Sequence, residues 1–359
     1  MDDACAMQRA LELAERGRFT VSPNPMVGCV IVAGDEVVGE GWHQAAGGPH
    51  AEIAALEAAG PAARGATVYV TLEPCAHTGR TPPCVTALLR AGVARVVVAC
   101  EDPNPVATGG SAALLRAGVA VHSGLLRDRA LRQNEVFFHG LRAQRPFVWL
   151  KSAVSLDGRV AAADGSSQWL TGVDARRRAH ELRAQADAVL AGSGTVLADD
   201  PQLTVRLDGW GAPQPLRVVL DGRARTTAAA RVYDGSAPTV VYVAPGAPAD
   251  RLRTAGVEVA EVATGPDGHL DVEAVLAALW ATGVRSVLVE GGPTVTTAFV
   301  ERGCYERLMV HVAPLLLGSR GRPAVFAGPD TLNDAPRFAL DRVEQVGADA
   351  LLELTRRGE

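Results

Sequence analysis

The segment A-T-V-Y-V-T-L-E-P-C-A-H-T-G-R-T-P-P-C, residues 66–84, decides the fold of the first half of the chain. Its first part, 66–72, is an apolar run rich in β-branched residues that is too short for a typical helix, which predicts a strand. Apolar spacing over 83–91 predicts a helix that starts close to the last cysteine. Cys75 and Cys84 therefore lie in the connection between a strand and a helix.

Strand and helix signals alternate along the rest of the chain, which is typical of a sheet covered by helices. The Pro-marked junction Arg145-Pro146 predicts a boundary, so we expect two α/β domains at 1–145 and 146–359. In the first domain we predict helices over 4–16, 51–59, 83–91 and 110–117 and strands over 27–33, 37–38, 66–72, 94–99 and 119–122. In the second domain we predict strands over 147–154, 188–191, 216–220, 239–243, 286–289 and 307–312 and helices over 174–186, 272–281 and 294–301.

Composition excludes several classes of protein. The chain has 359 residues, enough for about two domains, and no apolar run reaches the ~18 residues of a membrane span. A net charge of −5 and 4% aromatic residues argue against polynucleotide binding, which needs clustered cations and stacking rings. The acidic N-terminus lacks the order of a secretory signal, so we expect a cytoplasmic protein. Six cysteines are too few for a disulfide scaffold, and we expect Cys5, Cys29, Cys100 and Cys304 to be packing residues.

One histidine and two cysteines have the composition of a catalytic zinc site. His50 lies where a loop enters a helix, and with Cys75 and Cys84 it makes three zinc-type ligands. Three protein ligands leave the fourth tetrahedral position for water, whereas structural zinc sites normally take four. Glu52 is placed to move protons to and from a water whose pKa zinc lowers towards ~7. The H-x-E and P-C…C order is the signature of zinc nucleobase deaminases. A structural zinc site, or buried cysteines without metal, are the alternatives.

Four other polar side chains of this half are candidates for contacting a substrate. Asn24 lies in a Pro-bracketed turn and offers both a donor and an acceptor to the edge of a ring, although it could be a simple turn residue. His77 and Arg80 could contact a substrate phosphate or merely decorate a loop. His43, after Gly41-Trp42, is open to the same two interpretations.

The second half contains a weak phosphate-binding signal and no dinucleotide fingerprint. The stretch Glu290–Thr294 follows a predicted strand and opens a predicted helix, where free N–H groups suit a cofactor pyrophosphate. However, Gly-Gly-Pro is also common in strand-to-helix turns that bind no phosphate. Gly192-Ser193-Gly194 lacks the third glycine of the G-x-G-x-x-G pattern and precedes no obvious helix. The pattern therefore argues against a dinucleotide site of the Rossmann type.

Charged residues of the second half suit proton transfer and phosphate binding. Lys151 or Asp199 could move a proton, or could form an ordinary hydrogen bond or ion pair. Arg183 and Arg206 are candidates for binding a phosphate group, because a guanidinium fork matches phosphate oxygens. For Arg183 the alternative is a charge on the solvated face of the helix over 174–186.

Seven segments together resemble the bifunctional riboflavin-biosynthesis deaminase/reductase family. In the first half they are T-V-S-P-N-P-M-V-G-C-V-I-V (20–32), G-P-H-A-E (48–52) and T-L-E-P-C-A-H-T-G-R-T-P-P-C (71–84). In the second half they are K-S-A-V-S-L-D-G-R (151–159), S-Q-W-L-T (167–171), G-T-V-L-A-D-D-P-Q-L-T-V-R (194–206) and V-E-G-G-P-T (289–294). The resemblance covers essentially the whole chain.

The resemblance implies a cytidine-deaminase-like three-layer α/β/α domain followed by a dihydrofolate-reductase-like α/β domain. It implies zinc-dependent deamination of 2,5-diamino-6-(5-phosphoribosylamino)pyrimidin-4(3H)-one to 5-amino-6-(5-phosphoribosylamino)uracil. NADPH would then reduce the ribosyl side chain to give 5-amino-6-(5-phosphoribitylamino)uracil. The implied cofactors are one zinc ion per chain and NADPH. The implied partners are these small pyrimidine ribose phosphates, with no nucleic acid and no membrane, and a homo-oligomer stays open.

Family motifs also imply roles for individual residues of this sequence. His50, Cys75 and Cys84 would bind zinc, and Glu52 would shuttle protons. For the implied reductase, the chemistry of its side chain makes Lys151 the candidate acid that assists opening of the ribosylamine ring to an imine, with Asp199 as the alternative. The implied substrate contacts are Asn24, His43, His77, Arg80, Ser167, Arg183, Leu203, Arg206 and Glu290. The implied NADPH contacts are Val154, Trp169, Thr195, Asp199, Gly292, Pro293, Thr294, Val295, Thr296, Thr297 and Ala298.

Two other functions are compatible with parts of the sequence. One is a deaminase that acts on tRNA or free cytidine and carries a non-catalytic second half; the acidic net charge and scarce rings disfavour its polynucleotide version. The other is a non-enzymatic binding protein that zinc stabilises.

Overall fold

The computed structural model describes residues 1–77, 83–324 and 328–356, and they form two compact units, Met1–Gln144 and Arg145–Glu359. No helix within these described ranges combines the length and the apolarity that a bilayer crossing requires.

A five-stranded sheet forms the centre of the first unit. Its strand order is β2-β1-β3-β4-β5; β1 runs antiparallel to both its neighbours, and β3, β4 and β5 run parallel to one another. The strands are β1 (Gly28–Ala33), β2 (Glu36–Trp42), β3 (Thr67–Leu72), β4 (Arg95–Cys100) and β5 (Ala120–Ser123). The helices are α1 (Asp3–Ala14), α2 (Ala51–Ala59), α3 (Cys84–Ala91), α4 (Gly110–Arg116), α5 (Arg127–Gln133) and α6 (Glu135–Ala143).

Helices cover both faces of this sheet, as the alternating side chains of β1 illustrate. Cys29 and Ile31 pack in a buried cluster with α2, α3 and α4. Val30 and Val32 point to the opposite face and pack with α1, α5 and α6. Both faces of the central strands are therefore apolar, which is why those strands are continuous hydrophobic runs. The three-layer α/β/α arrangement is confirmed.

Some local expectations for the first unit are wrong. The sequence signals assign no element to 127–143, where α5 and α6 form; α5 is rich in charged residues, and neither helix has a side-chain cap at its N-terminus. Cys29, Cys100 and Cys304 are buried as expected, but Cys5 is exposed because it lies on the outer side of α1.

A nine-stranded sheet forms the centre of the second unit, with the strand order β11-β10-β9-β8-β12-β6-β13-β16-β15. The seven strands from β11 to β13 are parallel, whereas β16 and β15 are antiparallel. The strands are β6 (Phe147–Ser155), β7 (Arg159–Ala161), β8 (Ala188–Gly192), β9 (Leu216–Leu220), β10 (Thr239–Val243), β11 (Glu258–Glu261), β12 (Ser286–Val289), β13 (Arg307–Ala313), β14 (Arg322–Pro323), β15 (Phe338–Val346) and β16 (Asp349–Arg356); β7 and β14 pair separately. The helices are α7 (Val173–Gln185), α8 (Ser193–Asp199), α9 (Asp250–Thr254), α10 (Val272–Ala281) and α11 (Pro293–Glu301).

Two apolar clusters lie on opposite faces of this sheet. One contains Leu190 of β8 with residues of α10 and α11, and the other contains Val189 of β8 with residues of α8 and α9. Seven elements of this unit have no counterpart among the sequence expectations: β7, α8, α9, β11, β14, β15 and β16. Gly192-Ser193-Gly194 leads directly into α8, a short helix without a side-chain cap. No strand is expected over β15 and β16, because the strongly exposed β15 lacks an apolar run.

Gly28 of β1 occupies a position where the backbone of α1 comes too close for any side chain. A Cβ atom there would lie 1.9 Å from the Ala10 carbonyl oxygen and 2.8 Å from the Ala14 nitrogen. We therefore expect Gly28→Ala to push α1 off the sheet and to lower the free energy of unfolding of the first unit by about 3 kcal/mol or more. Urea-dependent hydrogen exchange, read by mass spectrometry on peptides from 1–144, measures this unit separately.

Gly34 provides the matched control for that substitution. It has a φ of +60° and open space around it, so Gly34→Ala costs only the backbone strain of about 1 kcal/mol. An equal decrease in the free energy of unfolding in Gly28→Ala and Gly34→Ala would contradict the close approach of α1 to β1.

Candidate active sites

Three element ends bring one histidine and two cysteines of the first unit together. His50 immediately precedes α2 with extended backbone, Cys75 follows the end of β3, and Cys84 is the first residue of α3. Because β3 ends beside the starts of the two helices, residues 34 positions apart in the chain become neighbours. The described residues contain one such group of metal-ligating side chains, and its ligand atoms all lie within 4.8 Å of one another.

The spacing of these atoms fits a tetrahedral zinc ion. The Nδ1 atom of His50 lies 3.2 Å from the Sγ atom of Cys84 and 3.7 Å from that of Cys75. Bond lengths of about 2.0 Å for nitrogen and about 2.3 Å for sulfur place such ligand atoms about 3.5 Å apart in an ideal tetrahedron. The donor set, one imidazole and two thiols, is also the set that zinc prefers.

Hydrogen bonds stabilise the thiolate form of Cys75. Donation from the Cys84 thiol, from His50 and from the Cys84 N–H (3.3 Å) lowers the pKa of Cys75 to about 4. The same sharing raises the pKa of Cys84, which holds the remaining proton, and burial adds to this effect. A divalent cation that binds both sulfurs replaces that proton, so metal binding releases it.

Glu52 lies in the first turn of α2, with only 3% of its surface exposed. Burial raises its pKa, although the nearby His50 acts in the opposite direction. The carboxyl group also lies close enough to the Cys84 thiol to interact with it. A buried carboxyl group beside a candidate metal site, with a raised pKa, is suited to accept and return a proton.

His43 connects Asn24 to the loop that carries His50. Its Nδ1–H donates to the carbonyl oxygen of Pro49 (2.9 Å), and its Nε2 accepts from the side-chain amide of Asn24 (3.1 Å). This pattern requires a neutral imidazole, and burial lowers the pKa of His43 accordingly. The ring stands edge-on to that of His50, with centroids 5.9 Å apart. Asn24 is thus held close to the ligand histidine with its amide orientation set.

The segment around Cys75 contains a residue that the sequence analysis missed. The buried carboxylate of Glu73 accepts from the N–H groups of Asp102 (3.3 Å) and Ser111 (2.8 Å), so it ties the loop before α4 to the end of β3. Its position directly after a strand was the available signal. His77 has a buried Nδ1 without a hydrogen-bond partner in the described part of the chain, and Arg80 lies outside the described residues.

A cavity of about 730 Å³ lies in the second unit, where β6, β8, β9 and β12 end. Parallel α/β sheets bind ligands at this edge. Lys151, Ser167, Asp199 and Glu290 line the cavity, as does Thr195, whose Oγ1 accepts from the N–H of Gly292 (3.0 Å). All seven residues over 292–298 also lie on its wall. The sequence-predicted contacts of the second half therefore largely converge on one cavity.

Five predicted contacts do not lie on this wall: Val154, Trp169, Arg183, Leu203 and Arg206. Trp169 is 69% exposed and stacks against the guanidinium of Arg176 at 4.6 Å. Leu203 is buried in the apolar cluster beside α8. The guanidinium of Arg206 bonds to the Thr204 hydroxyl at 3.3 Å.

Arg183 is not on the solvated side of α7 but forms a buried ion pair with Glu290. Two parallel hydrogen bonds of 2.6 and 2.8 Å join the guanidinium to the carboxylate, and a third, of 2.9 Å, reaches the carbonyl oxygen of Thr204. Burial alone would raise the pKa of Glu290, but Arg183 outweighs it and lowers that pKa to about 2. Burial lowers the pKa of the neighbouring Lys151. The floor of the cavity is thus an ordered charged cluster.

Two arginines of the cavity wall were also missed. Arg223 and Arg225 belong to the turn L-D-G-R-A-R over 220–225, directly after β9. The signal that could have found them is their position at the carboxyl end of a parallel strand, because charged residues there face the ligand edge.

Two family models match the chain: the cytidine and deoxycytidylate deaminase zinc-binding region over 1–100 and the RibD C-terminal domain over 146–352. The riboflavin biosynthesis protein RibD of Escherichia coli is 45% identical, covering 99% of both chains. That of Mycobacterium tuberculosis is 44% identical, covering 98% of this chain and 97% of the relative.

Solved structures agree with these matches. A crystal form of Acinetobacter baumannii RibD superposes with a TM-score of 0.89 at 41% identity, covering 99% of each chain. The diaminohydroxyphosphoribosylaminopyrimidine deaminase/5-amino-6-(5-phosphoribosylamino)uracil reductase of Thermotoga maritima superposes with a TM-score of 0.88 at 35% identity, covering 99% of this chain and 98% of that one.

The Arg183–Glu290 pair predicts a pH-dependent contribution to stability. Because the folded-state pKa of Glu290 is about 2 against an ordinary 4.5, its contribution is fully present above pH 4.5 and is lost as the pH falls towards 2. Glu290→Gln leaves Arg183 buried beside a neutral partner, so we expect the free energy of unfolding to fall by about 3 kcal/mol at pH 7. As the pH falls, the free energy of unfolding of the variant should decrease less than that of the parent. Urea unfolding at several pH values measures both effects.

Glu301 provides the control for this pair. It lies on the same cavity wall but is exposed at the end of α11. Glu301→Gln should leave the unfolding free energy within about 0.5 kcal/mol of the parent. A Glu290→Gln variant as stable as this control would show that the buried pair contributes nothing.

Proposed function

The chain belongs to the RibD family of bifunctional deaminase/reductases of riboflavin biosynthesis, and we propose that residues 1–145 perform the deamination and 146–359 the reduction. Its two parts have the cytidine-deaminase-like and dihydrofolate-reductase-like folds expected from the sequence. The enzyme uses zinc and NADPH. The match over 146–352 contradicts the alternatives of a non-catalytic second half and of a non-enzymatic zinc protein.

The two reactions are consecutive. In the first, water replaces the 2-amino group of 2,5-diamino-6-(5-phosphoribosylamino)pyrimidin-4(3H)-one, which gives 5-amino-6-(5-phosphoribosylamino)uracil and ammonia. In the second, the ribosyl side chain of that product is reduced to ribityl. The observation that carries the first assignment is the buried Glu52 beside a three-ligand group of His50, Cys75 and Cys84.

We assign these three ligands to the zinc ion. Zinc supplies the Lewis acidity that makes water a nucleophile near neutral pH. Glu52 takes a proton from the attacking water and passes it to the ring nitrogen. It then takes the proton of the new hydroxyl group on the ring carbon and gives it to the departing amine, so that ammonia leaves as the carbonyl forms. The burial of Glu52 supports this role, because burial raises the pKa of the carboxyl group, and a carboxyl group with a raised pKa can hold the proton that it has to transfer.

Substrate contacts of the deaminase are assigned to Asn24, His43, His77 and Arg80. Asn24 is supported by its fixed amide beside the ligand histidine, and His43 by the hydrogen bond that fixes it. His77 is supported by a buried Nδ1 that no other described residue satisfies. For Arg80 the family motif is the support.

In the reductase, NADPH supplies the hydride, and Lys151 is the candidate acid that protonates the opening ribosyl ring. Its lowered pKa supports this role, because a less basic ammonium gives up its proton more readily. Asp199, which accepts from the Ser167 hydroxyl at 3.3 Å, is the other candidate. Substrate contacts are assigned to Ser167, Arg183, Leu203, Arg206 and Glu290. Cofactor contacts are assigned to Val154, Trp169, Thr195, Asp199 and 292–298.

The partners of this enzyme are small molecules. We further propose that it binds neither nucleic acid nor membranes, that it works in the cytoplasm, and that copies of the chain associate. The acidic net charge supports the first of these statements.

Glu52→Gln separates the two activities. We expect the variant to keep its zinc, because no ligand changes, and to lose ammonia release by about 10³-fold or more, because the amide cannot carry the proton. NADPH oxidation with pre-deaminated substrate should persist. Metal analysis, an ammonia assay and absorbance of NADPH measure the three quantities.

Glu57 provides the control on the same helix, since it is exposed on α2. Glu57→Gln should change none of the three quantities. Ammonia release by Glu52→Gln at the parent rate would remove the proton-transfer role, and loss of zinc in that variant would make Glu52 a structural residue.

Lys151→Met tests the reductase in the same way. We expect the kcat of reduction to fall about 10²-fold or more while deamination is unchanged. If the ammonium is the acid, reduction by the parent slows as the pH rises through the lowered pKa of Lys151. The pH–rate profile of the variant lacks this decrease. Asp199→Asn is the comparison variant. If the decrease in rate with rising pH is lost in Asp199→Asn and kept in Lys151→Met, the acid is Asp199.

A further inference from the structure

Residues 200–206 follow α8 without forming a helix or strand, and they carry Leu203 and Arg206, to which substrate contacts are assigned above. Asp200 (φ +40°) and Leu203 (φ +53°) have left-handed backbone, which costs free energy for residues other than glycine. Such a conformation persists only where the surrounding contacts enforce it. Here Leu203 is 2% exposed in the apolar cluster beside α8, and the carboxylate of Asp200 accepts from the N–H of Arg231 (2.8 Å). The segment is therefore held in one conformation.

Arg217 of β9 anchors this segment at Gln202. The side chain of Arg217 is fully buried. Its guanidinium donates to the carboxylate of Asp234 (2.8 Å) and to the carbonyl oxygens of Ala237 (2.8 Å) and Gln202 (3.3 Å). A buried guanidinium keeps its position, because moving away from these acceptors would leave its charge unpaired in the interior. The backbone of Gln202 is thereby fixed beside β9.

The side chain of Gln202 connects this anchor to Arg206. Its Nε2 donates to the second carboxylate oxygen of Asp234 at 3.4 Å. Because a carboxylate only accepts, this contact sets the orientation of the amide and leaves Oε1 for Arg206, whose Nη1 lies 3.5 Å away. The same Nη1 donates to the hydroxyl of Thr204 at 3.3 Å. Two neutral oxygens thus orient the guanidinium of Arg206 through long, weak contacts.

The charge of Arg206 is available to an anion. No carboxylate in the described ranges lies within ion-pair distance of its guanidinium, whereas Arg183 and Arg217 of the same unit each bind one. Arg206 borders the floor of the cavity, since Arg183 donates to the carbonyl oxygen of Thr204, two residues before it. Partial burial and the positive charge of Arg183 also lower the pKa of Arg206. An oriented guanidinium without a carboxylate partner is suited to bind phosphate oxygens.

We propose that Gln202 positions Arg206 to bind the phosphate of the pyrimidine ribose phosphate, and that the buried pair of Arg217 and Asp234 fixes Gln202. This proposal rests on the assignment of Arg206 to the substrate given above. Immobilising a free arginine side chain on binding weakens affinity by about 2- to 10-fold, and a side chain that is already oriented avoids most of this cost. Neither Gln202 nor Arg217 belongs to the described cavity wall, so both act through Arg206 as positioning residues.

The test measures KM and kcat of NADPH oxidation by the full-length zinc enzyme with two substrates. One is 5-amino-6-(5-phosphoribosylamino)uracil, and the other is the same compound without its phosphate. For Gln202→Ala we expect the KM of the phosphorylated substrate to rise about 3- to 10-fold with kcat unchanged, because the lost contact acts on binding alone. With the compound that lacks the phosphate, kcat/KM should equal that of the parent, because Arg206 then has no anion to bind.

Two further variants follow the chain of contacts. Arg206→Gln should raise the KM of the phosphorylated substrate about 10- to 100-fold. Adding Gln202→Ala to Arg206→Gln should raise it no further, because nothing is left to be positioned. Asp234→Asn removes the charge that holds Arg217, so it should change KM in the same direction as Gln202→Ala. Thermal unfolding verifies that each variant is folded.

Gln345→Ala is the matched control, because it makes the same substitution elsewhere in the same unit. Gln345 is exposed on the edge strand β15 and donates to the carbonyl oxygen of Gly347 (3.1 Å) within its own turn. This variant should have the KM and kcat of the parent with both substrates.

Three results would overturn the proposal. An unchanged KM in Gln202→Ala would show that Arg206 needs no positioning. An equal loss of kcat/KM with and without the phosphate would assign Gln202 to the general architecture of the unit. A further rise in KM when Gln202→Ala is added to Arg206→Gln would show that Gln202 acts independently of Arg206. The assignment of Arg206 to the substrate fails separately, if Arg206→Gln has the KM of the parent.

Discussion

In both units, parallel strands end at one edge of a sheet and the chain passes from there into a helix, so side chains far apart in sequence meet at that edge. The end of β3 and the starts of α2 and α3 bring Cys75, Cys84 and His50 together. The ends of β6, β8, β9 and β12 surround the second cavity. Helix starts contribute free N–H groups at the same places, which favour thiolates in one unit and phosphates in the other. Both candidate sites depend on this arrangement.

Charge is handled differently at the two sites. In the candidate metal site, the thiols of Cys75 and Cys84 share one proton, which a divalent cation bound to both sulfurs would replace. In the reductase cavity, the charges are permanent: Arg183 and Glu290 neutralise each other in the floor, while Arg225 meets only a hydroxyl group. A buried pair of opposite charges orders the site without attracting an anion, whereas an unneutralised guanidinium attracts one.

Much of the fold was predictable because buried parallel strands are continuous apolar runs. The strands β9, β10 and β12 and the helices α2 and α10 begin and end at the predicted residues. The helix α5 and the strand β15 were not predictable in this way, because their residues are largely polar or exposed and their conformation depends on packing against the sheet. Likewise the burial of Arg183 follows from its partner Glu290, which lies 107 residues away in the chain.

The amino-acid sequence by itself determined the family and the two chemistries, and it supplied the candidate zinc ligands, because ligand type and local spacing such as H-x-E are properties of the chain alone. Only the tertiary structure decided which charged residues share a cavity and which are neutralised, since ion pairs and cavity walls join elements that lie far apart in sequence. Arg183 and Arg225 are the same residue type in similarly polar segments. The charge of Arg183 is neutralised by the buried carboxylate of Glu290, whereas Arg225 lies on the cavity wall without a carboxylate partner among the described residues.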